Sequence, residues 1–220
     1  MKAEVATAIR EQLVDAAVRL LTEEGPAAVQ ARRVAREIGA STMAVYHYFG
    51  GMPDLLRAVV EDGFRQLDAH LAAVPDTEDP VADICVLALA YRAAAHENPH
   101  LYDLMFGLSA PGGQRPAAIE PPPAAETTEG AYAHLVSAAA RATAAGRIRT
   151  DDPTIAAAQL WSLLHGYVTL ELSGHFHHLD DSVTRVLVPM GTNLLVGLGD
   201  TPERAARSAR SALDSAEHDR

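Results

Sequence analysis

The residues best suited to act on a partner fall in a short stretch, Ser41-Thr42-Met43-Ala44-Val45-Tyr46-His47-Tyr48-Phe49. At helical spacing, Thr42, Met43, Tyr46 and His47 share one face, while Val45 and Phe49, four apart, share another. Small side chains at the start, Ser41 and Thr42, let a helix backbone approach the floor of a DNA major groove. Hydroxyl and imidazole tips further along reach phosphates. Arg32, Arg33 and Arg36 lie on the segment before. The chemistry is that of recognition rather than bond-making.

Other reactive side chains form weaker sets. His175, His177 and His178 crowd one stretch, but no Cys or dense carboxylate group follows at ligand spacing, so a solvated loop is favoured over a metal site. His96 and His100 are four apart, yet Asn98-Pro99 interrupts the helix that would align them. Cys85, the single cysteine, sits inside ICVLALAY and reads as core packing; no intrachain disulfide is possible. There is no nucleophile motif, no Gly-rich phosphate loop and no carboxylate pair at useful spacing, so neither an enzyme nor a cofactor is expected. Trp161, His165 and Val168 recur at i, i+4 and i+7. The Trp161 N–H needs a partner if buried. The set reads either as plain core or as the wall of a ligand cavity.

These residues must be positioned by helices. Ile9, Leu13, Ala16, Ala17, Leu20 and Leu21 make one apolar stripe ended by Gly25-Pro26. The pattern predicts short helices over 30–38 and 41–48, joined by Gly39-Ala40, where Gly39 suits a left-handed turn. A helix follows from Pro53 to about Leu71. Further helices are predicted over 81–97, 101–108, from Thr127/Thr128 to Gly146, from Pro153 to about Ser173, after Asp180/Asp181 with Pro189 as a kink, and after Thr201-Pro202-Glu203. Pro111 to Pro123 has seven Gly or Pro in thirteen residues, which predicts a flexible loop over about 110–125. No strand pattern appears, so the fold class is all-α. The expected organisation is an N-terminal unit over 1–52, a connector helix over 53–75 and a larger helical unit over 76–220. Residues 30–49 are then either an ordinary αα corner or a helix-turn-helix.

Net charge is −11, which argues against a surface that coats nucleic acid broadly but permits a local basic patch. The N-terminal residues are charged where a signal peptide would be apolar. The longest apolar run, Ile84 to Tyr91, is too short to span a bilayer. A cytoplasmic protein without membrane contact is expected.

The pieces AAVRLLTEEG, RRVAREIGAS, TMAVYHYF and the following DLL, in that order, resemble the DNA-binding domain of TetR-family transcriptional regulators. The resemblance covers about Ile9 to Leu71. It implies a homodimer on a pseudo-palindromic double-stranded DNA operator, with Arg32, Arg33, Ser41, Thr42, Met43, Tyr46 and His47 facing DNA and Tyr46 on a phosphate. It further implies a C-terminal domain that binds a small-molecule effector and dimerises, and a repressor that the effector releases. The Trp161-x-x-x-His165-Gly166 arrangement resembles a C-terminal type in the same family. Helices that enclose the cavity in that family correspond here to those carrying Tyr91, Tyr102, Met105 and Phe106. With Trp161 and His165 these form the expected pocket, whose rings, thioether and hydroxyls suit an apolar ligand with one or two polar points. Two departures stand out. Gln30-Ala31 replaces the usual Thr pair, and Met52 replaces a phosphate-contacting lysine. They favour, as an alternative, a helical ligand-binding or interaction module with a weakened DNA head. Val183, Val186, Leu187, Met190, Leu194 and Leu195 form a wide apolar stripe, read either as part of a four-helix dimer interface or as internal core. The tail arginines Arg204, Arg207 and Arg210 read as a solvated face.

Overall fold

The structure is a computed structural model that describes residues 2–108 and 124–218. The Gly/Pro-rich stretch from Pro111 to Pro123 lies outside the described residues. Among the described residues all regular structure is helical. The helices are α1 (Lys2–Glu24), α2 (Ala31–Glu37), α3 (Met43–Phe49), α4 (Met52–Ala72), α5 (Pro80–Glu97), α6 (Pro99–Met105), α7 (Ala124–Ala144), α8 (Pro153–Leu172), α9 (Val188–Gly197) and α10 (Pro202–His218). α7 is already helical at Ala124, so Thr127 and Thr128 lie within it rather than at its cap. The run Ala-Ala-Glu has high helix propensity and extends it backwards.

The chain forms two compact units that interleave along the sequence. The first comprises the described residues up to Gln66 and from Glu97 to Thr128; the second comprises Leu67–His96 and the described residues from Glu129. α4 therefore contributes to both.

In the first unit, Leu13, Ala16, Ala17, Leu20 and Leu21 of α1 are buried with Val34, Ala35, Val45, Phe49, Leu55 and Val59. Burying each of the larger of these side chains is worth about 1.5–3 kcal/mol. α6 joins the same core through Leu101 and Leu104. Asn98 starts α6, its side chain accepting from the Leu101 N–H at 3.1 Å, with Pro99 at the first helical position, where a missing N–H costs nothing. Gly63 on α4 allows α6 to approach, because a Cβ there would lie 2.7 Å from Met105 Sδ.

In the second unit, charged clusters tie distant segments together. Arg147 pairs with Asp200 through Nη2 at 2.7 Å and with Asp79 through Nη1 at 2.7 Å. Arg141 Nη1 lies 2.8 Å from Asp83. Glu171 on α8 accepts from Arg92 Nε at 2.7 Å, Tyr167 Oη at 2.8 Å and Ser182 Oγ at 2.7 Å, and sits 2.8 Å from His96 Nε2. The expected kink at Pro189 takes the form of a widened π-helical turn over Val183–Leu187, in which the Val188 N–H bonds back to the Val183 carbonyl. Proline lacks the N–H and crowds the carbonyl four residues back, and a widened turn absorbs both effects.

Candidate functional site

Two features stand out, one in each unit. The first is the exposed face of α3. α2 closes with Gly39 in the left-handed region at φ +67°. The Ala40 N–H bonds to the Ala35 carbonyl at 2.8 Å and the Gly39 N–H to the Arg36 carbonyl at 3.0 Å, which is a Schellman closure. The chain thus turns sharply from α2 into α3. α3 begins at Met43, two residues later than the sequence pattern suggests. Ser41 and Thr42 form the entry turn, their carbonyls accepting from Ala44 and Val45 N–H groups at 2.9 and 3.2 Å. Gly50, at φ +74°, ends the helix.

α3 is divided cleanly between faces. Val45 is fully buried and Phe49 is 6% exposed, whereas Met43 and Tyr46 are 69% and 51% exposed. His47 and Ser41 are exposed and Thr42 is half-buried. Arg10 lies over the Phe49 ring at 4.9 Å, a cation–π contact that helps fix the end of α3. On α2, Arg32 and Arg36 are exposed. Arg33 differs: its guanidinium pairs with Glu24 at the end of α1, and the hydrogen bond from Arg33 holds the Glu24 carboxyl below its ordinary range. Met52, at the start of α4, packs against the apolar core. An α2–turn–α3 pair with one face of α3 in the core and the other in solvent is a helix-turn-helix, able to place small and hydroxyl-bearing side chains at base edges and phosphates.

The second feature is a cavity of about 70 Å³ in the second unit. Its walls come from Leu71 of α4; Ile84, Cys85, Leu87, Ala88, Leu89 and Tyr91 of α5; Ala131 and Leu135 of α7; Leu160, Trp161, Leu163 and Leu164 of α8; Leu187, Val188, Gly191, Thr192 and Leu195 before and on α9; and Ala209, Ala212 and Leu213 of α10. Tyr91 and Trp161 meet at a ring separation of 5.0 Å in an edge-on arrangement, and Tyr132 meets Trp161 at 5.7 Å. The Tyr91 hydroxyl and His165 Nδ1 are 3.1 Å apart. Burial lowers the His165 pKa, so the ring is neutral at pH 7. Burial pushes the Cys85 thiol up to about 12.

Of the six residues expected to line a pocket, Tyr91 and Trp161 do line this cavity, and His165 sits behind Tyr91. Tyr102, Met105 and Phe106 lie in the other unit. Met105 and Phe106 pack against its core, and the Phe106 ring sits 5.5 Å from Phe64 and 4.8 Å from Tyr102. Their helix, α6, carries Leu101 and Leu104 into that core, so these rings follow. Thr192 and Cys85 enter the cavity wall without having been singled out for it. No sequence pattern marks either of them. Of the α9 stripe, Leu187 and Leu195 are buried within the unit, while Met190 is 38% exposed, as is Leu170 of α8 at 42%. Among the clustered histidines, His177 Nδ1 lies 2.6 Å from the Gly174 carbonyl, and no group of metal-ligating side chains is found among the described residues. No described helix is long and apolar enough to cross a membrane.

The fold and the exposed α3 define a helix-turn-helix protein. The family model for bacterial regulatory proteins of the tetR family matches residues 13–59, and that for the tetracyclin repressor-like C-terminal domain matches residues 84–190. The chain belongs to the TetR family of DNA-binding transcriptional regulators. It is 27% identical over 193 residues to the uncharacterized HTH-type transcriptional regulator Rv0681 of Mycobacterium tuberculosis, covering 86% of this chain and 81% of that one. A protein of unknown function from Rhodococcus sp. RHA1 is similar in structure, with a TM-score of 0.70 at 27% identity over 87% of this chain and 96% of that one. RolR, solved in complex with the ligand resorcinol, shares the fold with a TM-score of 0.68 at 19% identity, covering 94% of this chain and 95% of its own.

Proposed function

We propose that this regulator is a cytoplasmic homodimeric repressor that binds a pseudo-palindromic operator and is released by a small, largely apolar molecule in the second-unit cavity. The observation that carries the reading is the division of α3, with Val45 and Phe49 in the core and Met43 and Tyr46 facing solvent. Ser41, Thr42, Met43, Tyr46 and His47 present the groove-facing set. Arg32 and Arg33 flank it on the backbone side. Exposed Leu170 on α8 and Met190 on α9 support pairing of two copies through those helices. A dimer reads two half-sites about 34–36 Å apart, one turn of B-DNA. α4 bears Leu71 on the cavity and Leu55 and Val59 in the core of the first unit, which supports it as the segment that transmits the effector signal. Couplings of this kind are about 1–3 kcal/mol.

A gel shift against the DNA upstream of the protein's own gene tests the reading. A specific, salt-sensitive shift is expected, lost in Tyr46→Ala while dimerisation persists. An unchanged shift in Tyr46→Ala, or no shift on any intergenic fragment, refutes it. The second reading, an interaction module with a weakened DNA head, is favoured by two observations: Arg33 is already paired with Glu24, and Met52 packs against the core where a lysine would serve DNA.

A further inference from the structure

We infer that the second-unit cavity selects an uncharged, largely apolar organic molecule and rejects organic acids and ammonium ions. The inference rests on the reading of that cavity as the effector site. Its basis is the chemistry of the wall. Among the described residues no Asp, Glu, Lys, Arg or His lines the cavity, and the polar side chains there are those of Cys85, Tyr91, Trp161 and Thr192.

One of these four is already committed: the Tyr91 hydroxyl meets His165 Nδ1 at 3.1 Å. The Cys85 thiol, which burial keeps protonated, is only a weak donor. Thr192 and the Trp161 N–H are left as hydrogen-bonding groups for a guest. An organic carboxylate entering this wall loses its hydration without meeting a cation, and an ammonium ion does so without meeting a carboxylate. Desolvation of either ion costs several kcal/mol, which a handful of apolar contacts does not offset.

The ring pair Tyr91–Trp161 offers a flat guest edge-on and face-on contact.

The test uses the full chain and four probes matched in their number of non-hydrogen atoms: toluene, phenol, cyclobutanecarboxylate and cyclohexylammonium. Binding is read from the thermal unfolding midpoint and from Trp161 fluorescence, Trp161 being the only tryptophan in the chain. Toluene and phenol should raise the midpoint and change the fluorescence; cyclobutanecarboxylate and cyclohexylammonium at equal concentration should do neither. Thr192→Val, which keeps the side-chain shape, should weaken phenol by roughly threefold to tenfold, the worth of one hydrogen bond, and leave toluene unchanged. Ala88→Phe should abolish both by filling the space. Should that variant not fold, the Thr192→Val comparison decides the point alone. Binding of either ion as tight as that of the neutral probes overturns the inference, and so does failure of both neutral probes to bind. The operator gel shift runs in parallel. Neutral probes that bind without releasing DNA, or that bind a protein giving no shift, uphold the ligand class and reject the repressor mechanism instead.

Discussion

The Tyr91 hydroxyl and His165 Nδ1, from α5 and α8, stand 3.1 Å apart at the edge of the cavity wall. Tyr91 is 1% exposed, so its ring is held on one side by Trp161 and at its tip by a histidine that burial keeps neutral.

Tyr91→Phe keeps the ring and removes the hydroxyl. It should cost about 1–3 kcal/mol, the penalty for losing a buried hydrogen bond whose partner stays behind. The urea midpoint should fall with an unchanged slope, and the Trp161 emission should change little.

Glu171 contributes to the stability of the protein in acid. Burial works to raise its pKa, but hydrogen bonds from Arg92, His96, Ser182 and Tyr167 outweigh it and hold the carboxyl at about 2. A depressed folded pKa means that the stabilisation is present above the unfolded value of about 4.5 and is lost as pH falls from there towards about 2. Glu171→Gln should destabilise the protein by about 3 kcal/mol at pH 7, the cost of breaking a buried pair. It should also flatten the stability curve in that window. Chemical denaturation from pH 2 to 7 measures both.

Arg32 and Arg33 are neighbours with different expected roles. Arg32→Ala should lower the slope of log affinity against log salt by about 0.9, one phosphate contact. Arg33→Ala should change the slope less, because its guanidinium is held by Glu24. Glu24→Ala should strengthen DNA binding by releasing it. Fluorescence anisotropy on an operator fragment between low and moderate salt separates the three.

Gly63 and Met105 test the packing of α6 on α4. Gly63→Ala places a methyl group against Met105 Sδ and should cost about 1–3 kcal/mol by overpacking. Met105→Ala should relieve that clash, so the double variant should be less destabilised than the sum of the two single ones. Additive losses in denaturant titrations would place the strain elsewhere.

Much of this was legible locally. The helices follow from apolar spacing, and Gly39 at the α2 end adopts the left-handed turn because that conformation costs other residues strain. The two faces of α3 follow from the four-residue spacing of Val45 and Phe49. What escaped was long-range partnership. Met105 and Phe106 look like pocket residues by type, yet no local pattern tells that α6 packs on α1 and α4. The Glu171 cluster joins Arg92, His96 and Ser182 across α5, α8 and the π-helical turn, and none of those residues marks its neighbours in sequence. Glu24–Arg33 is similar: two common surface residues become one pair only once α1 and α2 are placed. Thr192 was passed over because a single hydroxyl on an apolar helix carries no pattern at all.

Since Leu101 and Leu104 complete the core that α1, α2, α3 and α4 begin, the helix-turn-helix cannot be cut out as a simple N-terminal piece. A polypeptide ending near residue 75 would leave the seat of α6 bare and greasy, and would clump or stay half-folded. A graft of the reading head onto another protein must therefore carry residues 97–106 along, by circular permutation or as a second strand of chain supplied in trans.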